Sequence, residues 1–251
     1  MNLDGKTGLI TGGTSGIGFG SAKQALEAKA KAIVITGQNP ERLEAAKASL
    51  DAVGSVSAIR WRADVAEDSP ALAKAVSDEH GKLDFVFANA GVCWATPLGQ
   101  LNAAEIQKQL MINLTAPILL LDALIPLMND GGSIILTTSC LNEAGIPGYA
   151  AYSASKAGLR SLARTLSAEL LDKRIRVNCI APGPFETPIH TKYGIDGAEL
   201  DAVKKEVASN VPLGRYGEIE EIVDAVIFLA SDSSRYILGE EIKIDGGWTN
   251  L

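Results

Sequence analysis

The sequence predicts an α/β fold built on a mostly parallel sheet of seven strands with helices on both faces. Three observations carry that prediction. Short apolar runs of strand length alternate with longer stretches of helical period along the whole chain. The runs are continuous rather than alternating, the pattern of strands buried on both sides. No low-complexity linker and no repeat interrupts the 251 residues, so a single domain spanning 1–251 is expected.

Taken in order, the first strand is expected at 7–11 (TGLIT), with a helix running on to about residue 28. The second, 32–36 (AIVIT), precedes a helix over 40–50, and the third, 57–65 (SAIRWRADV), a helix ending near 80. The fourth, 83–91 (LDFVFANAG), leads into a long helix over 102–128. The fifth, 133–139 (SIILTTS), leads into a helix over 149–171. The sixth, 175–183, is followed by an irregular stretch and a helix over 218–230, and the last strand lies at 240–247. Pro184, Pro188, Gly194, Gly197 and Pro212 make 184–215 the least regular segment. It is expected to be a mobile substrate lid, because loops near strand ends often carry specificity.

Composition narrows the partners. Lys and Arg number 23 against 30 Asp and Glu, a formal charge of −7 with no basic block, so nucleic acid is not an expected partner. Cys93, Cys140 and Cys179 are scattered and form no CxxC, and only His80 and His190 accompany them. Neither a zinc site nor a disulfide framework is expected, and a reducing cytoplasm is the natural location. The opening MNLDGKTGLI lacks the cationic flank and long apolar run of a signal peptide. The greasy run at 110–128 is broken by Asn113, Asp122 and two prolines, and reads as a buried helix rather than a membrane span.

After the first strand comes Thr11-Gly12-Gly13-Thr14-Ser15-Gly16-Ile17-Gly18. Glycines at 12, 16 and 18 let the backbone turn tightly and approach a ligand, and the helix that follows offers unpaired N–H groups to phosphate. Thr14 and Ser15 add hydroxyls. This is the position of a dinucleotide site in a Rossmann-type doubly wound sheet, although the spacing is GxxxGxG rather than GxGxxG. The absence of GxxxxGK[ST] speaks against a P-loop. At the end of the second strand, Gly37, Gln38 and Asn39 stand where an acid would bind the NAD ribose. Without that acid NADP(H) is favoured and NAD(H) stays possible; Arg60 or Arg62 is available to meet a phosphate, or simply reaches solvent. Asp64 and Val65 follow the third strand, with Asp64 placed to accept from an adenine amino group or to cap the next turn. Asn89, Ala90 and Gly91 end the fourth; small residues there admit a flat ring, and Asn89 can tie neighbouring strand ends together.

The ordered set Thr11-Gly12-x-x-x-Gly16-Ile17-Gly18, Asn89-Ala90-Gly91, Asn113, Ser139, Tyr152-x-x-x-Lys156 and Pro182-Gly183 resembles the short-chain dehydrogenase/reductase family, in its Tyr-x-x-x-Lys branch. The likeness spans almost the whole chain. It departs at Ala88, where the family often has Asn, and at Gln38, where NADP-dependent members often have Arg. The resemblance implies an NAD(P)-dependent alcohol dehydrogenase or carbonyl reductase acting on a small carbonyl or alcohol. It implies cofactor contacts from the glycine turn to Pro182, Gly183 and Thr187, and a homotetramer assembled through the long helices.

The chemistry stands on its own terms too. On a helix, Tyr152 and Lys156 at i and i+4 share a face. A nearby ammonium, like a cationic oxidised nicotinamide, favours the phenolate, so Tyr152 can act as general acid and base. Ser139 can donate to the substrate oxygen, and Lys156 can hold ribose hydroxyls. Asn113 is expected to hold a water linking Lys156 to solvent. Taken singly, each residue has an ordinary alternative: a solvated helix face, a strand-end cap, a polar residue bonded locally. A non-catalytic regulator or scaffold on the same fold is the rival reading. The pocket is expected to be walled by Cys93, Trp94, Leu141, Tyr149, Phe185 and His190, with Cys93 no nucleophile for want of a neighbouring base.

Overall fold

A computed structural model describes residues 1–187 and 197–251. Its seven strands are β1 (Thr7–Ile10), β2 (Ala32–Gly37), β3 (Val56–Arg60), β4 (Leu83–Ala88), β5 (Met128–Thr137), β6 (Arg176–Pro182) and β7 (Glu241–Ile244). They form one parallel sheet in the order β3-β2-β1-β4-β5-β6-β7. The chain winds outward from β1 in one direction and from β4 in the other. The crevice where the direction reverses, beyond the carboxyl ends of β1 and β4, is where such sheets bind ligands.

The helices are α1 (Gly16–Glu27), α2 (Pro40–Asp51), α3 (Asp68–His80), α4 (Ala103–Leu110), α5 (Ala116–Leu124), α6 (Ala150–Glu169), α7 (Gly197–Ser209) and α8 (Ile219–Ala230). Because successive strand side chains point to opposite faces, the sheet feeds two cores. Ile10, Ile33, Ile35, Phe85 and Phe87 meet α1, α2 and α8 on one face. Leu9, Val34, Val86, Ile134 and Leu136 meet α3, α5 and α6 on the other. Burial on both faces is the reason the strands read as continuous apolar runs.

Several boundaries differ from expectation for physical reasons. β3 stops at Arg60, because Arg62 turns away to bond Asp68 through its backbone N–H and its guanidinium. The long helix is interrupted by a π-helical turn, Met111–Thr115, between α4 and α5. By length and composition, Ala103–Leu127 is apolar enough to cross a membrane. Ala116, Leu120, Leu121 and Leu124 are nonetheless buried in the core beneath the sheet. The segment expected to be irregular contains α7, whose Leu200, Val203 and Val207 recur at helical spacing; its prolines lie outside that helix. Residues 188–196 of the expected lid, including His190, lie outside the described residues.

One contact pins the centre of the sheet. Gly8 pairs with Phe85 across β1 and β4, and a Cβ on Gly8 would lie 2.0 Å from the Phe85 ring. Gly8→Ala is therefore expected to destabilise the chain by roughly 1–3 kcal/mol, read as a lower denaturant midpoint. Phe85→Leu added to it should recover part of the loss; an unchanged midpoint for Gly8→Ala alone would refute the contact.

Candidate active site

The exit of β1 is held by side chains that also shape the crevice. Thr11 Oγ1 accepts from the backbone N–H of Asn89 and Ala90 at 3.0 and 2.9 Å. Asn89 Nδ2 donates to the Thr11 carbonyl at 3.1 Å, and its Oδ1 accepts from Thr137 at 3.4 Å. Asn89 thus ties the ends of β1, β4 and β5. Gly12 and Gly16 adopt positive φ, 67° and 54°, which side chains rarely tolerate. A Cβ on Gly18 would sit 2.3 Å from the Gly12 carbonyl oxygen, so only glycine lets α1 begin this close to the turn. Ser15 stands at the N-cap, and its side chain makes no capping bond. The N-terminus of α1 follows the turn directly, with Thr14 against Gly37. This cradle fits the pyrophosphate of a dinucleotide.

Across the crevice, Lys156 on α6 is only 3 % exposed. Its Nζ donates to the Thr137 carbonyl at the end of β5, 2.7 Å away, and lies 5.8 Å from the centre of the Tyr152 ring. Burial lowers its pKa to about 8, so the ammonium persists at neutral pH. Ser139 is buried two residues beyond Thr137 and caps a short 3-10 turn, Cys140–Asn142, by accepting from Leu141 N–H at 3.2 Å. The end of β5 thus fixes both Ser139 and Lys156, and Tyr152 follows one helical turn before the lysine.

Asn113 is fully buried in the π-helical turn. Its Oδ1 accepts from Val92 N–H at 2.9 Å; its Nδ2 donates to the Val92 carbonyl at 2.8 Å and to Ser155 Oγ at 3.2 Å. Both amide hydrogens are spent, so a relay water would have to donate to an oxygen of Asn113. The side chain itself anchors the loop after β4 through Val92. One turn earlier, buried Gln109 does the same for Trp94, accepting from its N–H at 2.7 Å. Gly91 leaves room between these groups: a Cβ there would crowd Asn113 Oδ1 at 3.1 Å and touch Lys156 Nζ at 3.4 Å.

Around this centre lie Cys93, Trp94, Leu141 and Tyr149, all partly buried. The charge of Lys156 reaches Cys93, but burial dominates and pushes that thiol up to about 11, consistent with no nucleophilic role. Phe185 does not line the pocket. It is 7 % exposed, packs against Gly217 and belongs to the core on the α8 face. Its ring was expected at the substrate as part of the lid; the backbone bridge from Phe185 to Gly217 accompanies its burial in the core instead. Pro182 and Gly183 pair with Ile244 at the end of β7, and Thr187 is the last described residue before the gap.

At the other end of the crevice is an open cleft of about 430 Å³ lined by Gln38, Asn39, Arg60, Arg62, Asp64 and Val65. Asn39 caps α2 by accepting from Arg42 N–H at 2.8 Å. Arg60, the sheet neighbour of Gly37, donates from Nε to the Gln38 carbonyl at 3.2 Å. Arg62 is committed to Asp68, whose carboxyl it holds below the usual range. Asp64 does not cap the next turn; its carboxylate lies 3.7 Å from Lys108 Nζ. Among the described residues no group of three His, Cys, Asp or Glu could hold a metal. Gln109, Thr137 and Ser155 were not singled out in the sequence. Only the i, i+4 spacing of Gln109 and Asn113 offered a signal for any of them.

Comparison with known proteins agrees with this geometry. A family profile described as enoyl-(acyl carrier protein) reductase matches residues 12–249. An oxidoreductase of Sarocladium schorii, asL5, is 38% identical over 100% of this chain and 98% of its own length. The 3-oxoacyl-(acyl-carrier-protein) reductase FabG of Thermotoga maritima is 33% identical over 98% of this chain and 99% of its own. The solved RhlG/NADP active-site complex of Pseudomonas aeruginosa superposes with a TM-score of 0.90 at 31% identity, covering 99% of this chain and 98% of that one. With its parallel sheet, its glycine turn and Ser139, Tyr152 and Lys156 gathered at the end of β5, the chain belongs to the short-chain dehydrogenase/reductase family and is a nicotinamide-dependent oxidoreductase.

Proposed function

We propose that the protein interconverts a ketone and a secondary alcohol with NADP(H), Tyr152 serving as general acid and base. The observation that carries this reading is the buried Lys156 ammonium, set between the Thr137 carbonyl and the Tyr152 ring. When bound, the nicotinamide supplies or accepts the hydride. In the reducing direction the Ser139 hydroxyl donates to the carbonyl oxygen and withdraws electron density from the carbon. The Tyr152 O–H gives its proton to the same oxygen as negative charge develops there. The Lys156 ammonium stabilises the resulting phenolate, and Cys93, Trp94, Leu141 and Tyr149 exclude water. Oxidation runs the same transfers in reverse.

The preference for NADP(H) rests on three features. Gly37 brings no carboxylate to the end of β2, Arg60 lines the adjoining cleft, and Arg62 is locked on Asp68. Arg60 is therefore the cation available to a ribose phosphate. The similar RhlG structure is an NADP complex. Assembly as a homotetramer is supported by the apolar stretch of Ala103–Leu127, one-third buried within a single chain, since closed symmetric pairing would cover the remainder.

Three measurements test these statements. Tyr152→Phe should reduce turnover of a ketone by at least roughly 100-fold while NADPH still quenches tryptophan fluorescence; full turnover would sink the mechanism. Arg60→Gln should weaken NADPH binding by about tenfold and leave NADH binding where it was, and an equal effect on both cofactors would remove Arg60 from phosphate recognition. Light scattering should give a mass four times that of the chain, and a monomer would refute the assembly.

A further inference from the structure

We infer that Glu241, on the last strand, is a positioning residue for the Ser139 hydroxyl. Sheet register places it beside Cys179 on β6, and from there its side chain, 4 % exposed, reaches the turn that leaves β5. Glu241 Oε1 is hydrogen-bonded to Thr138 Oγ1 and accepts from Asn142 Nδ2 at 2.9 Å. Thr138 immediately precedes Ser139, and Asn142 closes the short turn that Ser139 caps. One carboxylate oxygen therefore clamps both ends of the turn that carries the hydroxyl. The other oxygen lies 3.9 Å from Arg160 Nε. Tyr152, Lys156 and Arg160 follow at i, i+4 and i+8 on α6 and share a face. Glu241 thus couples the Ser139 turn to the helix that carries the acid/base.

Local satisfaction does not require an acid here. Without Glu241 the single Thr138 hydroxyl proton would have the Ile180 carbonyl, 2.8 Å away, as its acceptor, and a buried carboxylate costs stability unless it is paired. What the acid adds is a fixed distance between two segments of the site. The inference rests on the role given to Ser139 above, and the experiment separates the two. Ketone reduction is followed by NADPH absorbance in the parent, Ser139→Ala, Glu241→Ala and the double variant, with NADPH binding read by fluorescence and unfolding by thermal midpoint.

Glu241→Ala is expected to lower kcat roughly 10- to 100-fold, with NADPH affinity unchanged. In the Ser139→Ala background it should cost nothing more, because coupled residues are not additive. Glu241→Gln keeps an oxygen that can accept both bonds and should restore most of kcat. Full turnover in Ser139→Ala would overturn the Ser139 role, and the inference with it. A slow Ser139→Ala alongside a Glu241→Ala that keeps parental kcat, or that multiplies the defect in the double variant, would overturn the Glu241 inference alone. Should Glu241→Ala not fold, Asn142→Ala loosens the same turn from its other end and must show the same non-additivity.

Discussion

The site depends on one buried charge. A cation taken out of water is costly unless fixed groups replace its hydration, and the fall of the Lys156 pKa to about 8 is the sign of that cost. The compensation is specific: the carbonyl of Thr137 at 2.7 Å and the face of the Tyr152 ring. Since Thr137 is the last residue of β5, this bond sets where α6 lies along the sheet. Ser139 then arrives two residues further on and Tyr152 one turn earlier. The charge that holds the site in register is also the one that stabilises a phenolate, and both effects fade as pH rises past the lysine's pKa.

Close approach on the other side of the crevice is arranged with glycine and with buried amides. Gly12, Gly18 and Gly91 remove the Cβ atoms that would collide with the Asn89 side chain and the Gly12 carbonyl, or crowd Asn113 and Lys156. Asn89, Asn113 and Gln109 each bond backbone groups of an adjoining segment. An amide suits that task because it carries donor and acceptor together. The π-helical turn at Met111–Thr115 belongs to the same arrangement, as it holds Asn113. The loop after β4 is consequently held by rigid elements even though it has no regular structure of its own.

The fold was largely legible in the sequence, because two-sided burial leaves continuous apolar runs and β1, β2, β4, β6 and α8 fall close to those runs. The proximity of Ser139, Tyr152 and Lys156 was legible because they lie near one another in the chain. Phe185 shows the limit. Its place in the expected lid suggested a pocket wall, yet it bridges to Gly217 and packs in the core, which no local pattern displays. Asn113 shows another: its side-chain partners, Val92 and Ser155, were invisible until the loop and α6 came together. α7 was hidden because prolines and glycines at the borders of its segment outweighed the helical spacing within it.

Residues distant in sequence therefore complete a centre that looks local. Thr138 and Glu241 are separated by 103 positions, and they meet only when β7 pairs with β6 at the edge of the sheet. β7 is four residues long, and short edge elements open more readily than central strands. Its anchors are correspondingly numerous: Asn178 accepts from Glu240 N–H and donates to the Ile237 carbonyl, and Arg160 donates to the Gly239 carbonyl. Arg160 stands one turn beyond Lys156 on α6. The helix that positions the acid/base thus also holds the edge strand, and the edge strand holds the turn of Ser139. Order at the edge of the sheet and order in the active site are in this way a single property of α6.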